Sequence, residues 1–219
     1  MNKSEDIIYF INNYILSCFG QHKITLTDWE KDIIKSVFDN DKINKVWIVH
    51  NRKVGATTLC KLLHWFYVSS DTYICSHNLF WSNYIKKQMF FNLSNTFLKH
   101  DDKDRLGING FIPMTANGIV HDLNKKLDNY NGLLVNLLYD KHEPITIDKE
   151  PSDLGCMYDG TFNEKTYNIL NSYEWKLFTI SVNIRDYDKI KPYIDADRNK
   201  ENVIILEDDN LPLIKIINN

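Results

Sequence analysis

One loop in this 219-residue chain carries residue types that bind phosphate groups. An apolar run, Lys45–His50, is followed by the polar loop 51–55, and apolar residues at helical spacing begin near Thr57. A glycine-containing loop between a strand and a helix can direct backbone N–H groups and a helix N-terminus at a phosphate. The predicted phosphate-contacting residues are therefore Asn51, Arg52, Lys53, Val54, Gly55, Ala56, Thr57 and Thr58.

The loop matches the P-loop pattern G-x-x-x-x-G-K-[ST] at two of its four fixed positions. Gly55 and Thr57 fit the second glycine and the hydroxyl residue, whereas His50 and Ala56 replace the first glycine and the lysine. That lysine normally reaches the β- and γ-phosphates. The loop thus predicts ATP and Mg²⁺ as ligands, Thr57 as a metal ligand, and weak hydrolysis at most. The open alternatives are that Lys53 supplies the missing charge, or that Gly55 only permits a tight turn.

Two further apolar runs are followed by polar residues that suit the same chemistry. Residues 133–139 precede Asp140, and residues 177–182 precede Asn183. Parallel sheets gather their catalytic groups at the carboxyl ends of the strands. We predict Asp140 as a ligand of Mg²⁺, the nearby Glu143 as a base that orients water, and Asn183 as a sensor of the γ-phosphate. The alternative for Asp140 and Asn183 is that each caps a turn.

The elements that must position these residues alternate between apolar strands and amphipathic helices. This pattern predicts an α/β fold, a three-layer α/β/α P-loop NTPase-like sandwich with a mostly parallel sheet. Helices are predicted at 4–19 and from Thr27 to about residue 38, the second with a capping box between Thr27 and Glu30. We divide the chain into an N-terminal helical segment, 1–40, and a P-loop NTPase-like domain, 41–219. The stretch 141–160, rich in proline and glycine, is predicted to be a loop.

Composition limits the classes of partner. The 26 Lys and Arg against 29 Asp and Glu give a net charge of −3, so any nucleic-acid contact must be local. Apolar runs stay below the 18 residues of a membrane span, so no membrane partner is expected. Cys18, Cys60, Cys75 and Cys156 form no C-x-x-C pair. We expect reduced thiols and an intracellular location, in a host cytoplasm or nucleus rather than outside the cell.

Taken in order, these segments resemble the superfamily 3 helicase domain of the Rep proteins of circular single-stranded DNA viruses and plasmids. Residues 45–50 resemble the family's tryptophan-containing strand before the P-loop. Asp140 falls on its Walker B strand and Asn183 on its motif C, while residues 196–199 resemble its closing Asp-Arg segment. Residues 157–167 are similar to the segment that carries a DNA-contacting hairpin in that family.

This resemblance implies a replication helicase and ATPase that acts on single-stranded or circular DNA as a homo-oligomeric ring. It implies Lys165 and Tyr167 as DNA-contacting residues in the pore, and it adds Arg198 to the catalytic residues. The replacement of the Walker lysine by Ala56 implies a loss of ATP hydrolysis. The alternative for the pore residues is that Lys165 is merely solvated and Tyr167 packs against the sheet.

A second resemblance competes with the first. Residues 51–58 are similar to the Arg-Gln-x-Gly-Lys-Thr P-loop of large-terminase packaging ATPases, and the long separation between this loop and Asp140 suits that family better. This resemblance implies a DNA-packaging ATPase. A third possibility is a P-loop scaffold without enzymatic activity, used for oligomerisation or DNA binding, and Ala56 is the residue that favours it.

Overall fold

Six parallel strands form the central sheet of the computed structural model, which describes residues 3–15, 23–51, 54–68, 71–94, 110–124 and 153–207. The strands are β1 (Lys45–His50), β2 (Thr72–Ser76), β3 (Phe111–Pro113), β4 (Gly155–Gly160), β5 (Leu177–Asn183) and β6 (Val203–Glu207). Their order across the sheet is β3-β2-β4-β5-β1-β6, and every pairing is parallel. The parallel α/β fold predicted from apolar runs separated by helices is confirmed.

Helices connect the strands and cover the sheet. They are α1 (Lys3–Tyr14), α2 (Asp28–Phe38), α3 (Ala56–Tyr67), α4 (Leu79–Ser94), α5 (residues 116–124), α6 (Glu164–Asn171) and α7 (Tyr187–Asp197). A short 3₁₀ helix, Ile184–Asp186, joins β5 to α7. Parallel neighbours need crossover connections, and the helices between strands supply them.

The side chains of β1 alternate between two hydrophobic cores, as strand geometry requires. Val46 and Ile48 lie in a core with residues of α1, α2 and α3. Trp47 and Val49 lie in the other core, with residues of α5, α6 and α7. All four side chains are fully buried. Helices therefore cover both faces of the sheet, which gives the three layers of an α/β/α sandwich.

The N-terminal helices α1 and α2 pack against α3. The predicted capping box of α2 is present, with the Thr27 backbone N–H donating to Glu30 Oε2 at 2.8 Å. The ring of Phe10 in α1 contacts Trp65 and Phe66 at centroid distances of 6.5 and 5.8 Å. The division of the chain near residue 40 into a helical segment and a P-loop domain stays a prediction.

Strand β4 corrects the expectation that residues 141–160 form a loop. Gly155 and Gly160 are its first and last residues, and it lies inside the sheet between β2 and β5. A Cβ at Gly155 would lie 2.6 Å from both His64 Nδ1 and Thr72 Oγ1. The glycine at this end of β4 therefore reflects the close approach of neighbouring side chains, not an irregular backbone.

Other expectations lie outside the described residues. The predicted strand 133–139 is among them, as are Asp140 and Glu143. Within the part of the chain that the structure describes, no helix is both long enough and apolar enough to cross a bilayer.

Candidate nucleotide site

The loop that follows β1 ends in the geometry that a phosphate-binding turn needs. Gly55 has a φ of +90°, in the left-handed region that favours glycine. Its carbonyl accepts the Leu59 N–H at 2.9 Å, so α3 begins directly after it at Ala56. The strand, glycine turn and helix predicted from the sequence are confirmed, whereas Arg52 and Lys53 lie outside the described residues.

The first turn of α3 contacts a carboxylate at the carboxyl end of β4. The Thr57 hydroxyl donates to Asp159 Oδ2 at 2.7 Å. The second carboxylate oxygen, Oδ1, accepts the indole N–H of Trp81 at 3.0 Å. Asp159 is only 4% exposed, and donors from two different helices fix both of its oxygens. The result is a buried carboxylate of defined orientation beside the N-terminus of α3.

This pair fits a magnesium ion. P-loop NTPases hold Mg²⁺ with the P-loop Ser or Thr and a strand-end Asp, and hard oxygen ligands are what Mg²⁺ prefers. Thr57 and Asp159 supply those two groups already in contact. The phosphate half of the site fits less well, because the lysine position holds Ala56, whose methyl group is buried with 2% exposure. The residues present therefore suit a metal better than the phosphates beside it.

Sequence reasoning missed Asp159 because its strand was predicted to be a loop. The available signal was the run Cys156-Met-Tyr158 directly before it, which is the pattern of a buried strand that ends in an acid. The glycines on either side concealed this pattern. Asp140, to which we assigned the metal, lies outside the described residues and stays a prediction.

Ser76 and His77, at the end of β2, lie very close to Gly160, the residue that follows Asp159. Gly160 has a φ of +125°, and a Cβ there would lie 2.7 Å from His77 Nδ1 and 3.1 Å from Ser76 Oγ. A side chain at this position would be strained by its backbone and by His77 together. The tight contact places the start of α4 next to the candidate metal ligands.

Asn183 lies at the predicted edge, beside the residue that replaces the first P-loop glycine. It is in register with His50, whose Nε2 is 3.0 Å from Ser181 Oγ. The Asn183 side-chain oxygen accepts the Arg185 N–H at 2.9 Å and so caps the 3₁₀ helix. This is the turn-capping alternative. A role for Asn183 as a phosphate sensor stays a prediction.

The pore role expected of Tyr167 is wrong. Residues 157–167 form most of β4, a short turn and the start of α6, not a hairpin. Tyr167 is 2% exposed and packs on Trp47 and Phe178 at centroid distances of 5.3 and 6.3 Å. A ring enclosed in this way offers no face to a base. Lys165 is exposed on α6, and its DNA contact stays a prediction.

Arg198 lies in an ion-pair group next to the edge strand β6. Its guanidinium donates to both carboxylate oxygens of Glu207, at 3.1 and 2.9 Å, and lies 3.7 Å from an oxygen of Asp195. These contacts hold the side chain in an exposed, surface arrangement. Its catalytic role stays a prediction.

The thiols of the described cysteines are unsuited to chemistry. Burial raises the pKa of Cys60 to about 12 and that of Cys75 to about 11, so both remain protonated at neutral pH. Burial also raises the pKa of Cys156. Within the described ranges there is no group of three or more His, Cys, Asp or Glu side chains that would form a metal cage.

Comparison with known proteins identifies a solved structure with a similar fold. No family model matches this chain, and no curated protein matches it. Among solved structures, the HK97 bacteriophage large terminase is similar, with a TM-score of 0.58 and 15% sequence identity. The match covers 94% of this chain and 43% of that one, so this chain spans less than half of the terminase. At this identity the similarity shows the fold alone, which is an α/β sandwich with a parallel sheet.

Proposed function

We propose that this chain is a terminase-like P-loop module that binds a Mg²⁺–nucleotide complex and hydrolyses it slowly or not at all. The observation that carries the proposal is the Thr57–Asp159 contact of 2.7 Å, between the first turn of α3 and the end of β4. The fold, similar to that of the HK97 large terminase, supports it. Under this proposal the chain acts on DNA, as its resemblance to the large-terminase packaging ATPases implies, and assembles into a homo-oligomeric ring.

The metal and the phosphates of the nucleotide each have candidate partners in this chain. Thr57 and Asp159 would hold the metal, whose charge would neutralise part of the phosphate charge. The N-terminus of α3 favours the negative phosphates through its backbone N–H groups and its dipole. Gly55 lets the backbone turn closely enough for this approach.

The site lacks the lysine charge that the P-loop pattern supplies for hydrolysis, because Ala56 occupies that position. Phosphoryl transfer depends mostly on positioning and electrostatic stabilisation. Removing a single preorganised donor from such a site typically costs about 100- to 1,000-fold in rate. Because Ala56 occupies the lysine position, we infer that the chain binds the nucleotide but hydrolyses it slowly or not at all. Lys53 is the residue that could replace the missing charge.

The Rep-like alternative, a replication helicase, loses the segment that favoured it. Residues 157–167 were its DNA-contacting hairpin, and they fold instead as an interior strand, a turn and a helix. Its remaining support is the order and the spacing of the motifs along the chain. The scaffold alternative keeps its support, because Ala56 lacks the lysine charge. We favour the terminase-like function over both.

Restoring the lysine tests the proposal. We expect Ala56→Lys to tighten Mg-ATP binding by about tenfold or more, because one charge–phosphate interaction is regained. Thermal shift measures it: ligand at 100 times its Kd adds about 2.7 kcal/mol to the free energy of unfolding. Ala56→Met is the matched control, since it adds similar length without charge. No Mg-ATP shift in any of these proteins would leave the scaffold alternative, whereas equal shifts for the Lys and Met variants would mean that the loop does not bind phosphate as a P-loop does.

A further inference from the structure

The first two turns of α4 expose large apolar side chains beside the candidate nucleotide site. Phe80 is 79% exposed, Leu79 45% and Tyr84 41%. The helix begins close behind Ser76 at the end of β2, on the same sheet edge as Asp159. Exposed apolar side chains that are grouped together are typical of an interaction surface.

The charge of this helix identifies the kind of partner. The sequence of Leu79–Ser94 contains Lys86 and Lys87 and no Asp or Glu. Phe80, Tyr84 and Lys87 are spaced four and three residues apart, so they share one face of the helix. Lys87 is exposed. The face thus combines two aromatic rings with a positive charge, which suits an anionic partner that carries flat apolar groups.

Tyr84 is anchored to the interior through a neighbouring ring. It stacks on Trp81 at a centroid distance of 5.1 Å and an interplanar angle of 28°. The Trp81 indole in turn donates to the buried Asp159 carboxylate at 3.0 Å. A ring held in this way loses little conformational freedom when a second flat group stacks on it, so binding is preorganised.

We propose that Phe80, Tyr84 and Lys87 form a binding surface for single-stranded nucleic acid. Unpaired bases stack on the two rings and a backbone phosphate contacts Lys87, which is how proteins bind single strands without reading sequence. A duplex keeps its base faces stacked on each other and leaves none for these rings. A second copy of this helix would bring its own lysines against the same positive face.

This inference rests on the DNA partner of the proposed function, and not on nucleotide binding. The probe is a fluorescently labelled oligo(dT) strand, titrated with the whole chain at low salt and followed by anisotropy. Stacking on an aromatic side chain is worth about tenfold or more in affinity for each base. We expect Phe80→Ala and Tyr84→Ala each to weaken binding about tenfold, and Tyr84→Phe to retain it because the ring remains.

Tyr9→Ala is the matched control, since Tyr9 is an exposed aromatic residue (62%) on a different helix, α1. It should leave the affinity unchanged. Lys87→Gln should lower the slope of log affinity against log salt by about 0.7, which is the loss of one phosphate contact to a single strand. These outcomes together support the surface and the residues assigned to it.

Three results overturn the inference: no binding of oligo(dT) by the unmodified chain, equal binding by the Phe80→Ala variant, or self-association of the chain that Phe80→Ala abolishes. The last result would assign the face to a second copy. Mg-ATP thermal shifts on the same samples separate this inference from the proposed function. Oligo(dT) binding that depends on Phe80, with no Mg-ATP shift, upholds the surface and rejects nucleotide binding.

Discussion

At the scale of single residues, the candidate site depends on one carboxylate and the two groups that orient it. Asp159 accepts the Thr57 hydroxyl and the Trp81 indole through different oxygens. Asparagine has the same shape but no charge, and it offers one oxygen in place of two. The charge of Asp159 can therefore be separated experimentally from its contribution to packing.

We predict that Asp159→Asn removes the magnesium dependence of nucleotide binding. The metal needs an anionic oxygen ligand, and the amide lacks one. Thermal shifts with ATP, measured with Mg²⁺ and with a chelator, check this. The control is Asp153→Asn, an exposed carboxylate near the opposite end of β4, which should keep the full Mg²⁺ effect. A magnesium effect that survives Asp159→Asn would return the metal site to Asp140.

At the scale of elements, the packing of α3 on the sheet includes a buried histidine. His64 Nε2 lies 2.9 Å from Thr179 Oγ1 of β5, whereas its Nδ1 has no hydrogen-bond partner among the described residues. Burial lowers the pKa of His64 from its ordinary value of 6.5 to about 3. The ring is therefore neutral in the folded protein over most of the acidic range.

This predicts a loss of stability in mild acid. The unfolded chain protonates His64 near pH 6.5 and the folded chain only near pH 3, so the unfolded state binds more protons between these values. The free energy of unfolding should fall with decreasing pH below about 6.5, by up to about 1.4 kcal/mol per unit.

Urea unfolding between pH 6.5 and 5, before most carboxylates titrate, measures this slope. His64→Gln should flatten it, since glutamine carries no titrating proton. The exposed His121→Gln variant should retain the slope of the unmodified chain. An identical slope in the His64→Gln protein would mean that another group causes the acid sensitivity.

At the scale of the whole molecule, one buried ion pair joins distant parts of the chain. The Lys45 ammonium at the start of β1 and the indole N–H of Trp47 both donate to Asp197 Oδ2, at 3.0 Å. Asp197, at the end of α7, is 3% exposed at its side chain and Lys45 is 13% exposed. The contact fixes α7 against the strand that leads to the candidate site.

We predict that Asp197→Ala destabilises the protein by about 3 kcal/mol, because it leaves the buried Trp47 N–H without its acceptor and the partly buried Lys45 ammonium with the neutral Asn171 oxygen in place of a carboxylate. The control is Asp195→Ala, two residues away, whose pairs with Lys191 and Arg198 are exposed to solvent and contribute little to stability. Free energies of unfolding from urea titrations compare the two variants. Similar losses in both would show that burial does not set the strength of the Asp197 contact.

Local chemistry in the sequence was enough to predict much of the fold. The bounds predicted for β1 match the structure, and the capping box of Thr27 and the turn at Gly55 are present. Each of these features depends on residues close together in the chain. Hydrophobic periodicity, capping and glycine turns are local signals, so the sequence alone carries them.

The other features of the site depend on tertiary structure, which brings together residues that are distant in the sequence. Thr57 and Asp159 are 102 positions apart, and they meet because the strand order brings the end of β4 near the start of α3. The sequence around Gly155 predicts a loop, because it does not reveal the close approach of His64. Tyr167 is enclosed by aromatic rings from other elements. Strand order and side-chain enclosure arise from contacts between distant segments, and local sequence patterns do not contain them.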